Sequence, residues 1–262
     1  MSFRYGMAQI KGGRETQEDF CISRSLEGIV PLSDEGARQG SSFGPIVLAL
    51  CDGMGGHAAG EVAARVAATT FVQAFEDLIE AERPREILAC ACDLANGAIA
   101  SEILSSPDLR GMGATLVGVF LDGDRVWWIG VGDSHLLFFR AGEVKALNQR
   151  HSMRAVLEEM IEEGEISAKE ALSHPARNAL LSVLNGDAIE LIDAGGPLEL
   201  QSGDVLLAAS DGIDVIDMHA LSSIVFGSSG NPLDLAEQIV STAATAGGSL
   251  QDNTTVLVIE VE

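Results

Sequence analysis

The segment "MGATLVGVFLDGDRVWWIGVGDSHLLFFRAGEVKAL", residues 112–147, decides the fold class of this 262-residue chain. It contains four short apolar runs, which the polar triplets DGD, GDS and AGE separate. Triplets of this kind between apolar runs are typical of the turns of β-hairpins. The segment therefore predicts consecutive antiparallel strands, and it argues against strands that alternate singly with helices.

Groups of strands and pairs of helices continue on both sides of this segment. The spacing of apolar residues predicts further strands over 3–9, 17–24, 46–51, 189–193, 204–210 and 253–262. It predicts helices over 59–83, 84–104, 152–163, 219–226 and 233–246, a polar loop over 25–44, and a polar insert with weak helical patches over 163–178. In the last strand Leu257, Ile259 and Val261 alternate with polar or exposed partners, so one buried face is expected. We predict an α+β fold, a four-layer αββα sandwich with two central antiparallel β-sheets flanked by helix pairs.

Composition and charge favour a single domain over residues 1–262. Hydrophobic residues make up 47% of the chain, and no linker or repeat divides it. The formal net charge of −23 offers no basic surface to nucleic acid and disfavours an anionic membrane. No apolar run approaches the roughly 18 residues of a membrane span, and the first residues lack the apolar core of a signal peptide. We therefore expect a cytoplasmic monomer whose four cysteines stay reduced.

Acidic residues stand at the ends of the predicted strands. They are Glu18, Asp19, Asp52, Asp133, Asp211 and Asp252. Taken singly, each is explained better by a turn or a solvated charge, because Asp-Gly is a common turn dipeptide. Taken together, they are expected at one edge of the sandwich, where a cation must offset their mutual repulsion. A site made only of oxygen ligands favours Mg²⁺, Mn²⁺ or Ca²⁺.

Six motifs follow one another along the chain: "RETQED", "DGMGGHAAGE", "GMGATL", "GDS", "GDVLLAASDG" and "QDNTT". The ordered set resembles the metal-dependent protein Ser/Thr phosphatases of the protein phosphatase 2C type, and especially their bacterial members. The resemblance extends from about Arg14 to Thr255 and implies the same layered sandwich. A single motif such as "GDS" is a weak signal, whereas the complete ordered set is specific.

The resemblance implies a centre of two divalent metal ions, Mn²⁺ or Mg²⁺. Asp52 would bridge the two ions, and Asp211 and Asp252 would complete the first site. Glu18 and the main-chain carbonyl of Gly53 would contribute to the second site. The glycines that follow Asp52 would let the main chain approach metal and substrate closely.

Further roles follow from the same resemblance. Asp133 together with Asp211 would match a third, weaker metal site of the bacterial members. Arg14 would bind the substrate phosphate, because a guanidinium group matches phosphate oxygens bidentately. Asp19 would orient the metal-bound water from behind the ligands.

Two regions depart from the family pattern or vary within it. Eukaryotic members carry a proposed general acid, a histidine, directly after the Asp-Gly pair, where this chain has Met54. His57 lies three residues later, and for it a catalytic role and a plain loop role stay open. Residues from about 151 to 187 match the position of the family's variable flap, which either shapes access of a phosphoprotein or only covers the core.

The function implied by the resemblance is hydrolysis of phosphoserine and phosphothreonine on proteins by a water that bridges two metal ions. The expected partners are phosphorylated proteins and a cognate bacterial Ser/Thr kinase. Three alternatives remain: a catalytically silent regulatory module of the same fold, a phosphatase dedicated to one phosphorylated regulator of sigma factor control, and a calcium-binding protein. The complete set of carboxylates favours the enzyme over the silent module, because silent relatives usually lose metal ligands.

Overall fold

A computed structural model describes residues 1–32, 36–55, 59–228 and 230–262. The strands within these residues are β1 Phe3–Ile10, β2 Phe20–Ser25, β3 Gly28–Leu32, β4 Gly36–Ser42, β5 Ile46–Cys51, β6 Gly53–Met54, β7 Gly113–Ala114, β8 Leu116–Asp122, β9 Arg125–Val131, β10 His135–Arg140, β11 Glu143–Ala146, β12 Asp193–Glu199, β13 Val205–Ala209 and β14 Thr254–Val261. The α-helices are α1 Ala59–Gln73, α2 Phe75–Ile79, α3 Pro84–Ser105, α4 Met153–Glu162, α5 Ala168–Leu172, α6 Met218–Gly227 and α7 Pro232–Gly247.

The described strands pair into two six-stranded antiparallel sheets, and β6 and β7 form a separate short pair. In the first sheet the order of strands is β11-β10-β13-β14-β1-β4. In the second sheet the order is β12-β9-β8-β5-β2-β3. The prediction of two antiparallel sheets built from grouped strands is confirmed.

Three hydrophobic layers hold the sheets and helices together. Side chains such as Phe3, Leu48 and Ile259 fill the space between the two sheets. Helices α1 and α3 pack on the outer face of the second sheet, where Phe71 of α1 lies over Gly118 of β8. Helices α6 and α7 cover the outer face of the first sheet. The predicted αββα layering is therefore confirmed.

Two strands occupy the segment that the sequence predicts as a polar loop, residues 25–44. They are β3 and β4, and each forms the free edge of one sheet. Edge strands need no continuous apolar face, and polar residues and glycine on an exposed edge also discourage pairing with other chains. The prediction of a loop was therefore wrong, because edge strands can form without the apolar periodicity on which the prediction relied.

The strand predicted over residues 189–193 is also wrong, because β12 begins only at Asp193. Leu191 and Ile192, which suggested the strand, are exposed. The actual strand lies at the other edge of the second sheet, and its register with β9 shifts between Gly195 and Leu198. Such irregular pairing accommodates a proline within an edge strand.

Two smaller differences concern connections and burial. The "GDS" triplet is not a hairpin turn, because β9 belongs to the second sheet and β10 to the first. The last strand buries both faces, since Leu257 packs between the sheets while Val256 and Val258 pack against the helices. A central strand of a four-layer sandwich has no solvent-facing side.

Helix α3 is long and apolar enough to cross a membrane, by length and composition only. Its Leu88, Ala91 and Ile99 are fully buried against α1 and the second sheet. A core helix of a soluble protein meets the same criterion, so the absence of membrane binding stays a prediction.

Candidate active site

The ends of several strands open into one cavity of about 640 Å³. Seven of the residues predicted for the site line it: Arg14, Glu18, Asp52, Gly53, Asp133, Asp211 and Asp252. Asp19 is buried beside them, and His57 lies outside the described residues. Residues that are up to 238 positions apart in sequence, such as Arg14 and Asp252, thus meet at one edge of the sandwich.

Asp52 directly follows β5, a strand whose six residues are all buried. Its backbone N–H donates to Thr115 Oγ1 over 2.9 Å, and its carbonyl accepts from the Thr115 N–H over 2.9 Å. The Thr115 hydroxyl also lies 2.8 Å from Ser134 Oγ. Because this backbone is held from both sides, the Asp52 side chain has a fixed origin at the floor of the cavity.

The glycines around Asp52 serve close packing of chain segments. A Cβ on Gly53 would lie 2.1 Å from the Gly60 carbonyl oxygen, and a Cβ on Gly60 would lie 2.7 Å from Glu18 Oε2. The Gly53 N–H donates to the Glu18 carbonyl over 3.1 Å. Glycine is therefore required here so that α1 and the segment before β2 can bring Glu18 next to Asp52.

Asn253 organises the loop that carries Arg14 and Glu18. Its Nδ2 donates to the carbonyl oxygens of Lys11 and Thr16, over 2.8 and 2.9 Å. Its Oδ1 accepts from the Glu18 N–H over 2.8 Å. This role of Asn253 was not predicted from the sequence, although the "QDNTT" motif contained the signal, since an asparagine at a strand entry can satisfy several backbone groups at once.

Asp19 is a buried carboxylate, with 3% of its surface exposed. Its Oδ2 accepts from Ser210 Oγ over 2.7 Å, whereas Oδ1 has no hydrogen-bond partner among the described residues. Burial raises its pKa to about 6, and the hydrogen bond from Ser210 opposes that rise. A buried, half-satisfied carboxylate costs free energy, which is a property typical of functional sites.

The cavity carboxylates raise one another's pKa values. Burial, and then the negative charges of Asp19 and Asp211, hold the pKa of Asp52 well above its usual range. Burial, and then the charges of Asp133 and Asp252, raise the pKa of Asp211 to about 7. Repulsion between neighbouring carboxylates favours protonation of some of them unless a cation neutralises their charge.

The donor set fits hard divalent cations. The carboxylates do not form a closed ligand cage as placed, because no three His, Cys, Asp or Glu side chains of the described ranges are positioned to hold a metal ion. The described lining of the cavity nevertheless holds several carboxylates and no His or Cys side chain. Burial, and then neighbouring negative charges, raise the pKa of Asp211, and one buried oxygen of Asp19 has no partner among the described residues. A divalent ion would offset both costs, and oxygen ligands favour Mg²⁺ or Mn²⁺.

Arginines supply the positive charge at this cavity. Arg14 Nη2 pairs with Asp252 Oδ2 at 2.5 Å, and its side chain is 61% exposed, so it lies within reach of a substrate. Arg154, at the start of α4, and Arg177, after α5, also line the cavity. Neither arginine was predicted as a site residue, because nothing in the sequence of residues 151–187 indicates which side chains turn towards the site.

The sequence model of the family described as protein phosphatase 2C matches residues 30–231. The chain belongs to this family.

Several protein phosphatase 2C members are similar to this chain. The serine/threonine protein phosphatase PstP of Mycobacterium tuberculosis is 32% identical over 91% of this chain, which spans only 44% of that relative. The serine/threonine phosphatase stp of Listeria innocua is 32% identical over 82% of this chain and 84% of its own length. A crystal structure of the PstP catalytic domain in complex with two manganese ions is 26% identical, covers 99% of each chain and superposes with a TM-score of 0.74.

Proposed function

We propose that the protein is a metal-dependent phosphatase that hydrolyses phosphoserine and phosphothreonine on proteins. The observation that carries the proposal is the convergence of Glu18, Asp52, Asp211 and Asp252, together with Arg14, in one cavity. Membership of the family and the names of the relatives, which are serine/threonine phosphatases, support it.

The cavity would hold two ions, Mn²⁺ or Mg²⁺. Asp52 would face both ions, Asp211 and Asp252 one of them, and Glu18 with the Gly53 carbonyl the other. When bound, the pair would supply Lewis acidity at the phosphoryl group and lower the pKa of a water. The two manganese ions of the PstP catalytic domain support a centre of two ions. The assignment of the ligands and the identity of the metal, Mn²⁺ or Mg²⁺, are part of the proposal.

Arg14 is the residue that would bind the phosphate. Its guanidinium group stands at the cavity edge beside Asp252, so a phosphate entering the cavity meets a cation already placed by an ion pair. Two parallel N–H groups would align the phosphate oxygens. Because the protein carries a net charge of −23, this local positive charge is needed to receive an anion.

Asp19 is the residue that would hold a water by hydrogen bonding. Ser210 fixes one of its carboxylate oxygens, and the other has no partner in the described part of the chain. Because Ser210 fixes the Asp19 side chain, the remaining carboxylate oxygen can accept a hydrogen bond from a water in only one direction. Asp19 therefore acts from behind the carboxylates that face the cavity.

The proposal extends to partners and location. The substrates would be phosphorylated proteins, and a Ser/Thr kinase would oppose the enzyme in the cytoplasm of a bacterium. We propose a monomer that binds neither nucleic acid nor membranes, and the net charge of −23 supports the absence of both partners. No observation favours the silent module, the dedicated sigma-factor phosphatase or the calcium-binding protein over this activity.

The test is hydrolysis of a phosphothreonine peptide with Mn²⁺, with Mg²⁺ and with a chelator. We expect turnover with metal, loss of turnover with the chelator, and a loss of about 10²-fold or more in Asp211→Ala. Asp122→Asn is the matched control, because this aspartate is exposed at the end of β8 and should leave turnover unchanged. Folded, metal-bound protein without turnover on any phosphopeptide would contradict the proposal.

A further inference from the structure

One ion pair joins α4, the first helix of the flap-like region 151–187, to the chain beside the cavity. Arg154 Nη1, on α4, pairs with Oδ2 of Asp214, three residues after Asp211. The other oxygen of Asp214 lies 2.8 Å from His135 Nε2. The side chains of Arg154 and Asp214 are only 23% and 20% exposed, so this pair is far less solvated than a surface ion pair.

Arg154 stands with Asp133 and Asp211 in the lining of the same cavity. Burial raises the pKa of Asp133, and the positive charge of Arg154 opposes that rise. Burial acts to lower the pKa of Arg154, and the negative charges of Asp214, Asp211 and Asp133 together outweigh burial and raise it. The guanidinium group is thus already placed where its charge offsets the repulsion between two carboxylates.

We infer that Arg154 is the resident cation of the Asp133–Asp211 pair, and that a third divalent ion binds there only by displacing it. The inference rests on the proposed function, because it presupposes two metal ions in the rest of the cavity. It concerns this chain's own residues, since Asp214 supplies a carboxylate that anchors Arg154 beside the pair. The Arg154 guanidinium group therefore competes with a metal ion for the position beside Asp133 and Asp211.

Because Asp214 anchors Arg154, the competition between Arg154 and a third ion also affects α4. Arg154 belongs to α4, so removal of its side chain from the cavity breaks a contact between residues 60 positions apart. Binding of a third ion and release of the α4 contact are therefore one linked event. Linked events of this kind change each other's equilibrium constants by the same factor.

The experiment is titration of the metal-free protein with Mn²⁺ by calorimetry, without substrate. We expect two tighter ions and one weaker ion per wild-type chain. In Arg154→Ala, and in Arg154→Gln, which keeps a longer side chain, the third ion should bind about tenfold tighter or more, because one positive charge has left its site. Arg83→Ala is the matched control for net charge, since Arg83 forms an exposed pair with Glu86 on α3, and it should bind like wild type.

The outcomes separate this inference from the proposed function. If wild type and both Arg154 variants bound the same number of ions, two or three, with the same affinities, only the inference would be overturned. Wild-type protein that binds no Mn²⁺ would overturn the inference and the proposed metal centre together. If Arg83→Ala bound the third ion as tightly as the Arg154 variants, the inference would also be overturned. The tighter binding would then arise from the net charge of the protein and not from the position of Arg154.

Discussion

Ser210 Oγ, at the end of β13, donates a 2.7 Å hydrogen bond to Oδ2 of Asp19, which lies just before β2. The two residues are 191 positions apart, and their strands belong to different sheets. The same hydroxyl oxygen accepts from the Thr255 N–H over 2.9 Å. One buried serine thus connects the two sheets at the edge that carries the cavity.

The first prediction concerns this serine. Ser210→Ala should lower the free energy of unfolding by about 1–3 kcal/mol, because Asp19 Oδ2 and the Thr255 N–H then lose the buried hydrogen bonds that Ser210 makes with them. Ser101→Ala is the matched control, since Ser101 is an exposed helical serine bonded only to its own helix, and it should be neutral or slightly stabilising. Urea denaturation of both variants in chelator provides the measurement, and equal stabilities would contradict the prediction.

The second prediction concerns the pH dependence of the metal-free protein. The pKa values of Asp19 and Asp211 are raised to about 6 and about 7 in the folded state, mainly by burial. An unfolded aspartate has a pKa of about 3.9, so between about pH 4 and pH 7 the folded chain binds more protons than the unfolded chain. The stability that these protons provide is complete below about pH 4 and is lost as the pH rises through about 7.

The measurement is the free energy of unfolding in chelator at pH 5 and pH 8. We expect a lower value at pH 8, and a smaller difference between the two in Asp211→Asn, which cannot titrate. Saturating Mn²⁺ should also reduce the difference, because the metal neutralises the same carboxylates. A metal-free protein that is more stable at pH 8 than at pH 5 would show that the burial of these carboxylates does not govern its stability.

The layered fold could be predicted because its central strands are strongly apolar and occur in groups. The run that ends at Cys51 is a fully buried strand, and it places Asp52 at a strand exit. Three of the four edge strands could not be predicted in the same way, whereas the edge strand β11 could. β3, β4 and β12 lie at the edges of their sheets, where exposed and glycine-rich sequences pair through backbone groups that carry no side-chain signal.

The carboxylates of the candidate site could be predicted, and the groups that hold them in place could not. Asp52 and Asp211 follow apolar strands, so their position is encoded locally. Arg154 meets Asp214 across 60 residues, and Asn253 meets Glu18 across 235. Contacts of this kind depend on how distant segments pack, and a single sequence contains no periodicity that reports them.

The third prediction concerns the charge at the centre of the cavity. Asp52→Asn should raise the melting temperature of the metal-free protein at pH 8 by about 2–4 °C, because one member of a repelling carboxylate cluster is removed. It should abolish turnover and most of the stabilisation by Mn²⁺. Asp122→Asn should change neither, since its exposed carboxylate lies outside the cavity lining. A lower melting temperature of metal-free Asp52→Asn, measured by thermal denaturation, would argue that Asp52 stabilises the fold itself.

The last prediction compares two helical glycines. A Cβ on Gly60, in α1, would lie 2.7 Å from Glu18 Oε2 and 2.9 Å from the Gly53 carbonyl carbon, so Gly60→Ala must displace Glu18 or the Gly53 backbone. We expect a loss of stability of about 1–3 kcal/mol, and weaker Mn²⁺ binding because Glu18 is a proposed ligand. Gly97, in α3, has no atom within 4 Å of such a Cβ, so Gly97→Ala should stabilise the protein by about 0.5–1 kcal/mol. Urea denaturation and Mn²⁺ titration of both variants test the comparison: if Gly60→Ala kept full metal affinity and stability, the close approach of α1 would not be what positions Glu18.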